Sequence, residues 1–541
     1  MSKNLTKEDL SKIYGKISPF ELKDKLISLA KSNDNTILDA GRGNPNWTAA
    51  TPRQAFFTFG QFGVLETQRT WSKEDLAGIV QKEGIAERFF AFVKENRQTP
   101  GIDLLENIIN YGINTLEFDA DSFIFELTDG IIGDNYPFPD RILIHIEKIL
   151  HDYLIKELCM GNEGNNKFEV FAVEGGTAAM CYIFDSLVAN SLLNPGDKIA
   201  LMTPIFTPYL EIPHLPHYNF EVVNIHANEV DEKGNPTWQF PEEELNKLKD
   251  TDIKVVFVVN PNNPASIALN DKCKTTLKNI VDNHNPNLMI ITDDVYCTFV
   301  DNFESIISTI PYNTLGVYSL SKYFGVTGWR LGAIMLNEDN IFNKLISELP
   351  SDTKGKLHER YKHLSLKPEK LSFMERMVAD SRQVALNHTA GLSTPQQVQM
   401  AFFCAFALID TKNKYKELTK DICKNRKKLL FDGLNMELIS QPHDAAYYTE
   451  LNLLDMAKII YNEDFSKFIE SKFRPLDIIY SLANSYSIIL LNGDGFASSE
   501  WSLRVSLANL NDDSYYIIGK SLRELLDSLY KDYSSEITLE A

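Results

Sequence analysis

From residue 168 onward the chain repeats one pattern. A short run of consecutive apolar residues gives way to a turn rich in Gly, Pro, Asn or Asp, then to a stretch whose apolar positions recur every three or four residues. Phe168–Val173, Lys198–Met202, Phe220–Ile225, Lys254–Val259, Asn287–Thr292 and Leu315–Tyr318 read as strands. Most of these runs are apolar throughout rather than alternating, which predicts strands covered on both faces. The expected class is α/β, with a large, mostly parallel sheet in an α/β/α layer arrangement.

The flanking regions read differently. Residues 1 to about 38 look helical, with Ser18 as cap, Pro19 at the first position and an amphipathic run through Leu29. Residues 50 to about 125 alternate aromatic-rich helical stretches with polar turns, and Ile142, Leu143, Ile146, Ile149, Leu150 and Leu154 trace a further helix. Downstream, the charged segment from 337 to about 380 reads as helical with a solvated face. A long basic helix around Lys412 to Leu430 leads into strand-like runs at Tyr447–Leu453, Ile488–Leu491 and Ser502–Ser506. The expected division is an N-terminal arm and helical insertion (1–130) contributing to a smaller α+β domain, a large domain (131–400) with an insertion near 337–380, and a C-terminal part of the small domain (401–541). A chain of 541 residues is indeed too long for one compact core.

Charge narrows the partners. With 54 basic against 74 acidic residues the net charge is −20, which argues against nucleic acid or an anionic membrane, so an anionic substrate must be held by a few local cations. The six cysteines have no paired spacing, the pattern of reduced thiols without a zinc site. No run is apolar enough for a signal core or a bilayer span, and the expectation is a soluble cytoplasmic protein without a metal.

The densest chemistry lies between Gly316 and Gly332. The run ending at Tyr318 delivers Ser319 and Ser321, then Lys322, and Gly325, Gly328, Arg330 and Gly332 follow within ten positions. A lysine leaving a buried strand can attack a carbonyl and form a Schiff base. Hydroxyls and a planar guanidinium suit a phosphate group, and glycines let backbone pass close to a ligand. Other segments add to this one. Gly175-Gly176-Thr177 opens a helix directly after a strand, where unpaired N–H groups bind anions. Asn260 ends a strand at the edge where open α/β sheets bind ligands. Asp293 and Asp294 end the next, one expected to be buried and the other solvated, with Tyr296 close behind. Phe206 after a strand end reads as core packing; Arg42 sits in the turn Gly41-Arg42-Gly43-Asn44-Pro45; Tyr136 precedes a helix; Arg504 alternates with Leu503 and Val505 and faces either water or the interior.

In this order and spacing, the segments resemble the fold-type I pyridoxal 5′-phosphate (PLP) enzymes of the aspartate aminotransferase superfamily. The resemblance implies that Lys322 anchors the cofactor and moves the substrate's Cα proton, and that Asp293 keeps the pyridine nitrogen protonated. It implies that Asn260 and Tyr296 bond the ring oxygen, that Phe206 stacks on the ring, and that Asp294 points elsewhere. Gly175, Gly176, Thr177, Ser319, Ser321 and Arg330 would hold the phosphate, with Tyr136 reaching it from a neighbouring subunit. Arg504 would grip the α-carboxylate.

The added length at 50–125 and 337–380, with Ser18-Pro19-Phe20-Glu21-Leu22 and the Gly41 to Trp47 turn, is similar to the bacterial L-aspartate 4-decarboxylases over essentially the whole chain. That implies β-decarboxylation of L-aspartate to L-alanine and CO2 via a ketimine, minor aminotransferase activity, and a homo-oligomer of at least two subunits, with larger assemblies of dimers in the family. Arg42 is the candidate for positioning the β-carboxylate, since Arg382, the arginine nearest to where plain aminotransferases carry one, has no evident place in the site. An aspartate aminotransferase is the alternative reading. A non-catalytic PLP-binding regulator is a second, disfavoured by the acidic charge and the lack of a basic DNA-binding segment before residue 130.

Overall fold

The structure is a computed structural model that describes residues 19–31 and 36–540; the expected cap Ser18 lies outside the described residues. After α1 (Pro19–Ala30) and the short strand β1 (Leu38–Asp39) come five helices: α2 (Ala50–Thr70), α3 (Ile85–Glu95), α4 (Ile102–Asn114), α5 (Ala120–Ile132) and α6 (Ile144–Leu158). Local chemistry fixes their ends. At α5, the Asp119 carboxylate accepts the Ser122 N–H at 2.9 Å, and Gly133 closes the helix at φ +73°, a left-handed cap natural to glycine.

The predicted strands follow as β2 (Phe168–Val173), β3 (Lys198–Thr203), β4 (Glu221–His226), β5 (Ile253–Val259), β6 (Met289–Asp293) and β7 (Thr314–Ser319), joined by β8 (Gly332–Asn337), which the sequence reading had not separated from the glycine-rich loop before it. They form one seven-stranded sheet in the order β2-β8-β7-β6-β5-β3-β4, with β8 antiparallel to both neighbours and every other pairing parallel. Alternate residues of β5 enter different cores: Val255, Phe257 and Val259 pack with Phe184 of α7 (Gly176–Ala189), and Val256 and Val258 with Leu277 of α8 (Asp271–Asn283). Helices on both faces explain the uninterrupted apolar runs.

The charged segment forms α9 (Ile341–Glu348), α10 (Ser351–Tyr361) and α11 (Phe373–Asp380). It is more than a solvated face. Asp380 is buried and accepts from Arg360, Tyr361, Ser186 and Asn190, tying the segment to α7. α12 (Thr394–Ile409) and α13 (Lys414–Leu434) lead to β9 (Tyr448–Asn452), α14 (Leu453–Ile460), α15 (Glu463–Lys472), α16 (Pro475–Tyr486), β10 (Ile488–Ile489), β11 (Leu491–Asn492), β12 (Ser502–Ser506) and α17 (Asp512–Glu540). β9, β12 and β11 make an antiparallel sheet, and β1 pairs in parallel with β10.

Packing refines the expected division of the chain. Leu22, Leu26 and Ala30 of α1 share a core with the C-terminal helices and strands. The helices between residues 50 and 132 instead bury Phe59, Phe62, Phe89 and Phe123 against α6 and α12 of the larger unit, because their aromatic stripes match the apolar face of α12.

Candidate active site

Parallel pairing brings the carboxyl ends of β5, β6 and β7 to one edge, with Val259 beside Asp293 and Asp293 beside Val317. Because β8 is antiparallel to both β2 and β7, Gly332 lies between Val173 and Ser319, and the turn after β2 joins the same edge. The small unit closes over that edge from β9 and β12. Between them lies a cavity of about 450 Å³.

One end is built for an anion. Gly176, Thr177, Ser319, Ser321, Thr327 and Arg330 line it. α7 begins here with no side chain capping it, so its first N–H groups remain available to a ligand. Gly175 is held at φ +88°, and a Cβ there would come within 2.5 Å of the Arg330 guanidinium, so only glycine fits. Arg330 is anchored by donating to the Thr327 and Glu174 carbonyls at 2.9 and 3.2 Å, and the Ser319 hydroxyl donates to that of Ser321 at 3.0 Å. Gly332 approaches Gly175 too closely for a side chain, whereas Gly328 faces open space and needs no glycine.

Midway, Asp293 is the only acid of the lining, which Phe206 and Val259 share. Burial pushes its carboxyl up to about 6, against the opposing pull of the Val295 N–H, the Tyr209 hydroxyl at 3.3 Å and the Lys322 charge. Among the described residues no cationic nitrogen pairs with it within 4.0 Å. A desolvated carboxyl without a counter-charge is what a protonated heterocyclic nitrogen would complete. Asp294, expected to be solvated, is fully buried on the other side of the strand; burial pushes it up to about 7 while the Ser305 and Thr292 hydroxyls bond it.

At the far end, the Lys322 amine donates to the Gly43 carbonyl at 3.3 Å, which also accepts from the Tyr447 hydroxyl at 2.8 Å. The loop after Lys322 is clamped. The Tyr323 carbonyl accepts from Trp47 Nε1 at 3.1 Å and from Tyr415 at 3.0 Å, and the Gly325 carbonyl from Arg53 at 2.6 Å. Arg504 is buried, facing inward; its Nη2 donates to the Gly41 carbonyl at 2.7 Å and its Nη1 to Asn263 Oδ1 at 3.1 Å, while Nε has no partner. Tyr296 is buried beneath it, its hydroxyl 3.0 Å from that of Tyr448, and burial with that neighbour holds its phenol well above the usual range.

The structure thus brings together Gly176, Thr177, Phe206, Asp293, Tyr296, Ser319, Ser321, Lys322, Arg330 and Arg504, with Gly175 one residue behind the wall. Two expectations move. Asn260 does not line the cavity: its Oδ1 accepts the Leu269 N–H at 2.9 Å and so closes the loop, and Asn263, three residues on, takes the wall position. Both precede a proline, so the sequence offered no signal to separate them. Arg42 is half exposed outside the lining, its Nε 3.2 Å from Asp39, because the acid three residues earlier claims it. Tyr136 is 69% exposed, edge-on against His388 and away from its own chain's cavity. Tyr448 was missed, hinted at only by a strand that opens on two tyrosines, and Gly43 and Asn44 belong to the turn that had drawn attention to Arg42. Arg382 is occupied by Glu174 and Tyr182.

This geometry defines a cofactor-dependent enzyme of the aminotransferase type, and the comparisons place it. The model of the family "Aminotransferase class I and II" matches residues 170–518, and the chain belongs to that family, whose enzymes use PLP. Among its relatives is the bifunctional aspartate aminotransferase and L-aspartate beta-decarboxylase of a Pseudomonas species, 44% identical over 522 residues that cover 96% of this chain and 97% of that protein. Among solved structures, an aspartate aminotransferase double mutant from Thermus thermophilus superposes with a TM-score of 0.58 at 14% identity, covering 96% of this chain and all of that one. The aspartate aminotransferase of Rhizobium meliloti gives 0.57 at 15% identity, with 94% and 96% covered. These two show the shared fold.

Proposed function

We propose that this protein is a PLP-dependent enzyme that converts L-aspartate to L-alanine and CO2, with accompanying aminotransferase activity. The observation that carries the reading is similarity to the bifunctional Pseudomonas enzyme along 96% of the chain, including the helices before residue 170 that the family model does not reach. The cavity supports it. When bound, PLP supplies an electron sink that stabilises negative charge at the amino acid's carbons. Asp293 faces the place of a cationic ring nitrogen, Lys322 is the one amine of the lining and moves the Cα proton, and Phe206 covers the ring. The uncapped start of α7 with Thr177, Ser319, Ser321 and Arg330 holds the phosphate. Arg504, buried and with Nε unpartnered, receives the α-carboxylate.

With Arg330 at the phosphate and Arg504 at the α-carboxylate, the lining offers no further arginine to the β-carboxylate. A strong ion pair would hold that group as an anion, whereas uncharged surroundings ease its departure as neutral CO2. The exposed Tyr136 supports an assembly of at least two subunits in which it reaches a neighbour's phosphate site. A cytoplasmic setting is supported by six free cysteines, five of them buried, and no described helix is long and apolar enough to cross a membrane.

The test is direct. Purified protein should absorb in the visible range as a borohydride-trappable adduct, and added aspartate alone should yield equal alanine and CO2; Lys322→Ala should lose both. Keto-acid-dependent amino transfer without CO2 would favour a plain aspartate aminotransferase instead.

A further inference from the structure

Tyr448 stands in the cavity wall between Arg504 and Tyr296. Its ring lies against the Arg504 guanidinium, 4.3 Å from centroid to Cζ, and its hydroxyl is 3.0 Å from that of Tyr296. Its backbone N–H is fixed by the Ser266 hydroxyl at 2.8 Å, so the ring enters the cavity at a set angle. Gly43 shows where the hydroxyl points: a Cβ on that residue would fall 2.6 Å from the Tyr448 oxygen and 3.4 Å from Lys322 Nζ. The phenol therefore flanks the same open space as the amine, on the side next to Arg504.

Two hydroxyls 3.0 Å apart share one hydrogen. When Tyr296 supplies it, the hydrogen of Tyr448 is free to point into the cavity. An amino acid whose α-carboxylate rests on Arg504 and whose nitrogen approaches Lys322 carries its side chain through this space. From these positions we infer that Tyr448 is the uncharged donor that recognises the substrate's second carboxylate, making it a specificity-determining residue for dicarboxylic amino acids. This deepens the proposed function and rests on its assignment of Arg504. A neutral donor orients a carboxylate without the full counter-charge that would oppose its loss.

The test uses the holoenzyme and two unreactive amino acids that lack a Cα hydrogen: 2-methylaspartate, with the second carboxylate, and 2-methylalanine, without it. Binding of each is titrated by the change in cofactor absorbance. Tyr448→Phe keeps the ring on Arg504 and removes only the hydroxyl; it should weaken 2-methylaspartate about tenfold, about 1.4 kcal/mol, and leave 2-methylalanine unchanged. Gly43→Ala, which drives a methyl against the same hydroxyl, should also disfavour 2-methylaspartate over 2-methylalanine. Equal weakening of both ligands in both variants, or no change in either, overturns the assignment. The selectivity readout involves no CO2, so its failure is distinct from failure of the decarboxylase reading: a plain dicarboxylate aminotransferase would still show the Tyr448 effect.

Discussion

Asp294→Asn isolates the cost of burying a second acid beside the first. The Asp294 carboxyl rises from 3.8 to about 7 because the strand end carries it fully out of water, more than the Ser305 and Thr292 hydroxyls restore. A folded-state pKa above the unfolded one means that the folded chain holds a proton the unfolded chain has released. Stability is therefore greatest below pH 4 and falls as pH rises through 7, where half of the buried carboxyls carry charge. The whole effect is about 4 kcal/mol; between pH 5.5 and 7 it is about 1.6 kcal/mol. Asparagine fits the same space, pairs with both hydroxyls and does not titrate. Hydrogen exchange at the amides of β6 and β7 reports opening free energies without requiring one all-or-none transition. After correction for intrinsic rates, wild-type protection should drop roughly 16-fold more than the variant's across that window. Parallel profiles would refute the argument that burial dominates this carboxyl. Asp293 supplies an internal contrast: PLP opposite it should flatten its contribution and leave that of Asp294 in place.

Three further outcomes follow from single contacts. Gly325→Ala places a Cβ 2.1 Å from the Trp47 carbonyl at φ +62°, so thermal unfolding should show a loss of about 2–4 kcal/mol; an unchanged melting temperature would disprove the close approach. Asp380→Ala leaves Arg360, Tyr361, Ser186 and Asn190 without their acceptor and should cost about 3–5 kcal/mol in urea unfolding, a loss under about 1 kcal/mol counting against the network. Asn263→Ala should weaken 2-methylalanine binding about tenfold with little effect on stability, while Asn260→Ala should do the reverse at about 1–3 kcal/mol, and exchanged phenotypes would reinstate Asn260 in the cavity wall.

The sheet and most of the site were legible because both depend on one readable feature, the end of an apolar run. A strand covered on both faces is apolar nearly to its end, so the polar groups at or just beyond that end, Thr177, Asp293, Ser319 and Lys322, mark the edge where ligands bind. β8 escaped because its apolar run begins immediately after the loop carrying Arg330, and strand direction leaves no mark in composition.

What stayed hidden depends on side-chain direction rather than position. In a half-exposed sheet, successive residues alternate between core and water, which is why one of Asp293 and Asp294 was expected to be solvated. At the central strand β6, helices cover both faces, so alternation separates the ligand cavity from a second buried interior, and both acids are desolvated. The same reasoning reaches Tyr448. Its ladder partner is Ser506, on a strand that also carries Arg504, and only the pairing of β9 with β12 turns the phenol toward Arg504 and Tyr296. Two residues joined by a register 58 positions apart share no signal along the chain, so the polar face that Tyr448 and Arg504 make exists only once β9 and β12 have paired.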